Sequence, residues 1–198
     1  MKQLDDTIFS AAVSWEEYWA YAQVCAGTGQ RPEKYHDEKM RRYTEANLAR
    51  MKRVQEFLTV ETKLYNLLSN LKESWHWLVL AEPWCGDAAQ QVPALQILAA
   101  CSPSVKFGMI CSDAHPEIMA QFQTNGSNSI PKLVIADATG KVRATWGPRP
   151  AVLQMKVQEQ IKDAATSFGD KVRAVHAWYE ADNNKALQLE LLDILKQL

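Results

Sequence analysis

A cysteine sits where an apolar run gives way to a helical pattern, and it is the first place in this sequence where side chains could do chemistry. Trp84-Cys85-Gly86-Asp87 follows the run Trp75-His76-Trp77-Leu78-Val79-Leu80-Ala81 and precedes a helical stretch from about Asp87 to Ala100. Open parallel sheets place their functional loops at such strand-to-helix junctions. A helix N-terminus carries about +0.5 of an elementary charge and unpaired N–H groups, both of which favour a thiolate. Cys85 therefore reads as a candidate nucleophile. Asp87 suits the helix dipole as a first-turn carboxylate, yet its charge opposes a thiolate beside it. The dipole contributes about 0.3–1 kcal/mol, and a unit charge about 4 Å away can match or exceed that. The expectation is that Asp87 prevails and raises the Cys85 pKa. The alternative reading is a cysteine kept in a domain that only binds partners.

The remaining cysteines, Cys25, Cys101 and Cys111, form no C-x-x-C pair with Cys85 or with one another, so a zinc site and structural disulfides are both disfavoured. Cys101 falls about 24 Å along the helix from Cys85, too far to resolve an adduct. Cys111 ends the next apolar run and is the one candidate for a resolving thiol; Cys25 reads as a small apolar residue. His36, His76, His115 and His176 are dispersed, show no metal-binding spacing, and receive no catalytic role. No metal and no prosthetic cofactor is implied.

With 22 Lys and Arg against 23 Asp and Glu, the chain lacks the broad positive field that nucleic acid or an anionic membrane would select. Its N-terminal residues show neither a signal peptide nor an apolar stretch of about 18 residues, which places the protein in the cytoplasm as an expectation.

These residues need elements to position them. Ser14 with Glu17 three residues on reads as a capping box opening a helix, which Gly27 to Pro32 break. A second helix spans Glu38 to Leu58, with Tyr43, Met51, Val54 and Leu58 as its apolar stripe and Arg41, Arg42, Arg50, Lys52 and Arg53 as a solvated face. A short third runs from about Glu61 to Leu71. The Trp75–Ala81 run has the length and composition of a strand buried on both faces. Strands follow at Val105–Ile110, Lys132–Ala136 and Val142–Trp146, the last two joined by a turn at Thr139-Gly140. A helix lies near Pro116 to Gln123, its start in the turn around His115. Pro150 opens another helix that Gly169 interrupts, and a final stretch runs from about Lys171 to Leu198 past a capping region at Asp182-Asn183-Asn184. Tryptophans 19, 75, 77 and 178 read as core, and Trp146 as a possible neighbour of Cys85.

In this setting the chain resembles the thioredoxin superfamily: Trp84-Cys85-Gly86-Asp87-Ala88 looks like the Trp-Cys-Gly-Pro-Cys motif with its last two positions changed. Pro93, eight residues after Cys85, matches the kinking helix proline; Ile130-Pro131 matches the cis-proline site; Gly147 matches the closing glycine. More narrowly, Trp-Cys-Gly-Asp resembles a group of uncharacterised bacterial thioredoxin-like proteins. The resemblance implies an α/β thioredoxin-like fold, a four-stranded mixed sheet in the order second, first, third, fourth, flanked by helices. Residues 74–168 would form that domain, 1–73 an N-terminal helical extension and 169–198 a C-terminal one. It further implies that Cys85 attacks a disulfide, with Trp84, Gly86, Asp87, Ile130 and Pro131 as the binding surface, and that Cys111 stands on a strand adjacent to that of Cys85. Ala88 occupies the place of the resolving cysteine, so dithiol chemistry at this motif is excluded and an external thiol, such as glutathione or bacillithiol, would release the product. Partners would be a protein disulfide or a small thiol. Val79 stands where the family carries a buried aspartate, with Glu82 close by.

Overall fold

Alternation along one strand organises the molecule. In the computed structural model, which describes residues 2–30 and 32–198, β1 (Trp75–Ala81) is buried on both faces, with only His76 partly open. Successive side chains of a strand point to opposite faces, so Trp77, Val79 and Ala81 enter one core while Leu78 and Leu80 enter another. β1 pairs in parallel with β2 (Val105–Cys111) and antiparallel with β3 (Lys132–Asp137), which pairs antiparallel with β4 (Val142–Trp146). The order β2-β1-β3-β4 makes a mixed four-stranded sheet, as the resemblance implied.

The first core lies under the helices that precede and follow β1. α2 (Trp15–Ala26) opens on the Ser14–Glu17 capping box, α3 (Glu38–Phe57) is capped by Asp37, and α4 (Thr62–Ser69) follows. Arg31, in the break before α3, lies outside the described residues. α5 (Gly86–Ala100) is buried nearly all round, Pro93 included, because the sheet covers one side and α3 another. Met51 and Val54 of α3 join this core as expected, but Tyr43 is 39% exposed, and the inward polar positions are Thr44 and Asn47. Arg50 and Arg53 are likewise not fully solvated: Arg50 donates to Asn47 Oδ1 (2.7 Å) and Arg53 to Gln90 Oε1 (3.0 Å). Partial burial of such stems covers apolar methylenes that would otherwise be wet.

The second core is closed by α1 (Asp6–Ala11), an element the sequence pattern did not suggest, together with α6 (Pro116–Met119) and the turn Ala120–Phe122. The chain before α2 crosses this face and touches both margins of the sheet. Leu4 N–H donates to Gly140 O and Val142 N–H to Lys2 O at the β3–β4 turn, while Val13 exchanges hydrogen bonds with Met109 of β2.

After β4 come α7 (Ala151–Lys162), α8 (Phe168–Asp182) and α9 (Lys185–Leu195). Gly169 does not interrupt a helix: it lies in the first turn of α8, and the break falls at residues 163–167, where Asp163 and Ser167 bind the backbone that a continuous helix would have used. Asn183 and Asn184 separate α8 from α9 in the left-handed region (φ 48° and 60°), which asparagine tolerates.

Candidate functional site

Cys85 is the N-cap residue of α5, with its own N–H bonded to Glu82 O and its carbonyl accepting from Ala89. Its side chain turns inward, is 7% exposed, and donates through Sγ to the Ile130 carbonyl at 3.5 Å. Pro131 follows at the start of β3, and the Ile130–Pro131 and Gly147–Pro148 peptide bonds are both cis. Gly147 allows this approach: its φ is +110°, and a Cβ there would stand 2.3 Å from the Pro131 carbonyl oxygen.

Burial pushes the Cys85 thiol up to about 12, and the Asp87 charge adds to the rise. The Ala88 and Asp87 N–H groups and the Arg149 guanidinium pull the other way. The sequence placed Asp87 first among the influences; desolvation exceeds it. Asp87 itself is partnered. Its Oδ2 lies 2.6 Å from Arg149, its Oδ1 accepts from Arg149 Nε at 2.9 Å and from the Tyr179 hydroxyl at 2.8 Å, and Gln91 donates to Tyr179 and to the Pro148 carbonyl. Arg149, Tyr179 and Gln91 were not singled out from the sequence. Only the position of Arg149, between two prolines after the closing glycine, hinted at a fixed loop.

Trp84 is clamped between Lys34, ahead of α3, and Asp113, just after β2: Nε1 donates to Asp113 Oδ2 (3.1 Å), Lys34 sits 4.3 Å from its ring centroid, and Lys34 also pairs with Asp113. Behind it Glu82 is 1% exposed and accepts from the Asp113 N–H (2.7 Å) and Ser112 hydroxyl (3.3 Å). Burial pushes its carboxyl up to about 7. From α3, the Asn47 amide donates to the Pro83 carbonyl at 2.9 Å, fixing the loop from the other side. Gly86 packs against His176, whose ring carbon would be 2.8 Å from a Cβ at that position. Burial, with Arg50 adding to it, pushes His176 down to about 4.

The structure thus gathers Trp84, Cys85, Gly86, Asp87 and Ile130 around one helix start. It does not bring Trp146 into play, since that indole is buried and donates to Glu190. Cys111 pairs by strand register with Ala81, and its thiol is pushed up to about 12 by burial and then by Glu82 and Cys25, a different neighbourhood from that of Cys85. Cys101 donates to Ile97 at the far end of α5, and Cys25 is fully buried. Among the described residues, no group of three His, Cys, Asp or Glu side chains could hold a metal, and no helix is long and apolar enough to cross a membrane.

The family model described as Thioredoxin matches residues 33–164. The match starts ahead of α3, so the helix that holds the Pro83 carbonyl lies within it. Among solved structures, a protein of unknown function from Pseudomonas aeruginosa, PA1234, is similar over 96% of this chain and 95% of its own, with a TM-score of 0.64 and 14% identity. An HIV epitope-scaffold is similar over 94% and 99%, with a TM-score of 0.56 and 16% identity. Both likenesses concern the fold. No curated protein matches the chain.

Proposed function

The chain belongs to the thioredoxin family, and we propose that within it the protein carries out monothiol thiol–disulfide exchange through Cys85. The observation that supports this is the position of Sγ: one thiol at the start of a helix, 3.5 Å from the Ile130 carbonyl, with Ala88 where a second thiol would stand. In the first step the Cys85 thiolate attacks a disulfide R–S–S–R′, forming Cys85–S–S–R and expelling R′–S⁻. In the second, an external small thiolate attacks the mixed disulfide, releases Cys85 as thiolate and leaves a new disulfide. Protein disulfides and small disulfides are the proposed substrates. Trp84, Gly86, Asp87, Ile130 and Pro131 are proposed as the surface they meet, in a cytoplasmic setting that supplies the thiol.

The burial of Cys85 favours a second reading, a protein-binding module that has kept the grooved surface. One experiment separates the two. Native protein is incubated with oxidised glutathione at pH 8, and the adduct is located by mass spectrometry. Exchange requires a glutathione adduct on Cys85 that added thiol removes, with Cys111→Ser leaving its yield unchanged. A Cys85 that stays unmodified while the protein remains folded would leave the binding module as the surviving reading.

A further inference from the structure

We propose that the cavity between α3, α7 and α8 is a binding site for a small amphipathic anion, an apolar body carrying a carboxylate, with Arg50 as the partner of the charge. The cavity encloses about 590 Å³, within the range of about 300–1,000 Å³ typical of small-molecule sites. Its walls are apolar and come from three helices: Tyr43 of α3, Val157 and Ile161 of α7, Val172 and Val175 of α8. Ile161 is 72% exposed at the rim, a large apolar side chain held out beside a hollow that an apolar body would fill.

The charges decide the sign of the ligand. Lys39, Lys171 and Arg50 line the cavity against Asp37, while Arg149 and Asp87, which also line it, neutralise each other. Arg50 is partly buried, its hydrogen bond goes to the amide oxygen of Asn47, and among the described residues no carboxylate lies within ion-pair distance of it. A guanidinium offers five N–H donors in a planar fork that suits a carboxylate, so most of its capacity is left for an occupant. Burial lowers its pKa, the more distant charge of Glu180 on α8 offsets only part of that, and an incoming anion relieves the rest. His176 beside it is neutral at pH 7 and does not compete for the anion. The cavity reaches Trp84, Gly86 and Asp87 but not Cys85 or Ile130, so occupancy needs no chemistry at the thiol.

Titration calorimetry of the reduced full chain, with no disulfide present, tests the site independently of exchange at Cys85. The probes are decanoate and decyltrimethylammonium, which share a ten-carbon body and differ in charge. Decanoate is expected to bind one to one, and the cationic probe at least about tenfold more weakly. Arg50→Gln should weaken decanoate about tenfold or more, with Arg50→Lys recovering part of the loss. Ile161→Glu, a change at an exposed rim position that leaves the fold intact, should weaken it as well. Absence of saturable decanoate binding at millimolar concentration, equal binding of both probes, or unchanged affinity in folded Arg50→Gln and Ile161→Glu would each overturn the proposal.

Discussion

At neutral pH a thiol pushed up to about 12 is ionised in about one molecule in 10⁵, against about one in 30 for an unperturbed cysteine. Thiolates of higher pKa are more nucleophilic, which returns a factor of about 40. The balance is a Cys85 that reacts about 10²-fold more slowly than a free cysteine at pH 7. Iodoacetamide kinetics should show this, with a rate that climbs about tenfold per pH unit through the range where the protein stays folded. A plateau near pH 8.5 would contradict the burial described here. Asp87→Asn removes a charge that raises the pKa and leaves Arg149 beside the thiol, so it should speed alkylation at pH 7. A slower reaction would instead make Asp87 the proton acceptor. Gly147 is a separate case at this scale. With φ at +110° and the Pro131 oxygen 2.3 Å from any added Cβ, Gly147→Ala should cost about 3 kcal/mol, read from the urea midpoint at constant m-value.

Among the elements, α5 is tied to the chain that follows the sheet by one polar knot: Asp87, Arg149, Tyr179 and Gln91. Tyr179→Phe removes a hydroxyl that donates to Asp87 and accepts from Gln91. The partly buried Asp87 and the buried Gln91 then each lose a partner, and a loss of about 1–3 kcal/mol is expected in urea unfolding. A change below a few tenths would mean that the knot does not hold α8. This knot was illegible in the sequence, because Arg149 and Tyr179 are 62 and 92 residues from Asp87 and nothing local marks them as partners of Asp87 or of Gln91 one turn on. What could be read was what local rules determine. The Ser14–Glu17 box opens α2, the apolar run Trp75–Ala81 is β1, and the break at Thr139-Gly140 turns β3 into β4. Cys85 was legible for the same reason, as a strand-to-helix junction with a distinctive motif. Its burial was not, since the Ile130 carbonyl that meets it lies 45 residues away. The partial burial of Arg50 and Arg53 was missed because charge interleaving along α3 looks the same whether a stem faces water or a neighbouring helix.

For the molecule as a whole, one buried and one partly buried group set opposing dependences on pH. The Glu82 carboxyl is raised from an ordinary 4.5 to about 7, so the stability it allows is present below pH 4.5 and is lost as pH rises through 7. His176 is lowered from 6.5 to about 4, so its contribution is present above pH 6.5 and is lost as pH falls through 4. The Glu82 shift corresponds to about 3 kcal/mol when fully expressed and that of the partly buried, partly screened His176 to less, so in the shared window the two oppose each other. Urea midpoints of the native chain should therefore vary little between pH 4.5 and 6.5. Glu82→Gln should make stability climb with pH across that window, and His176→Gln should make it fall. Parallel profiles for all three proteins would refute the opposition.

The segment that crosses the second core meets both margins of the sheet, at Lys2–Leu4 against the β3–β4 turn and at Val13 against β2. Sheet margins left open are templates for a neighbouring chain. Deleting residues 2–13 would uncover the β2 margin together with the apolar face of Leu78, Leu80, Ile110 and Val134, and light scattering should then report concentration-dependent aggregation. By this argument the segment acts as a built-in guard of solubility, keeping one sheet from becoming half of a larger one.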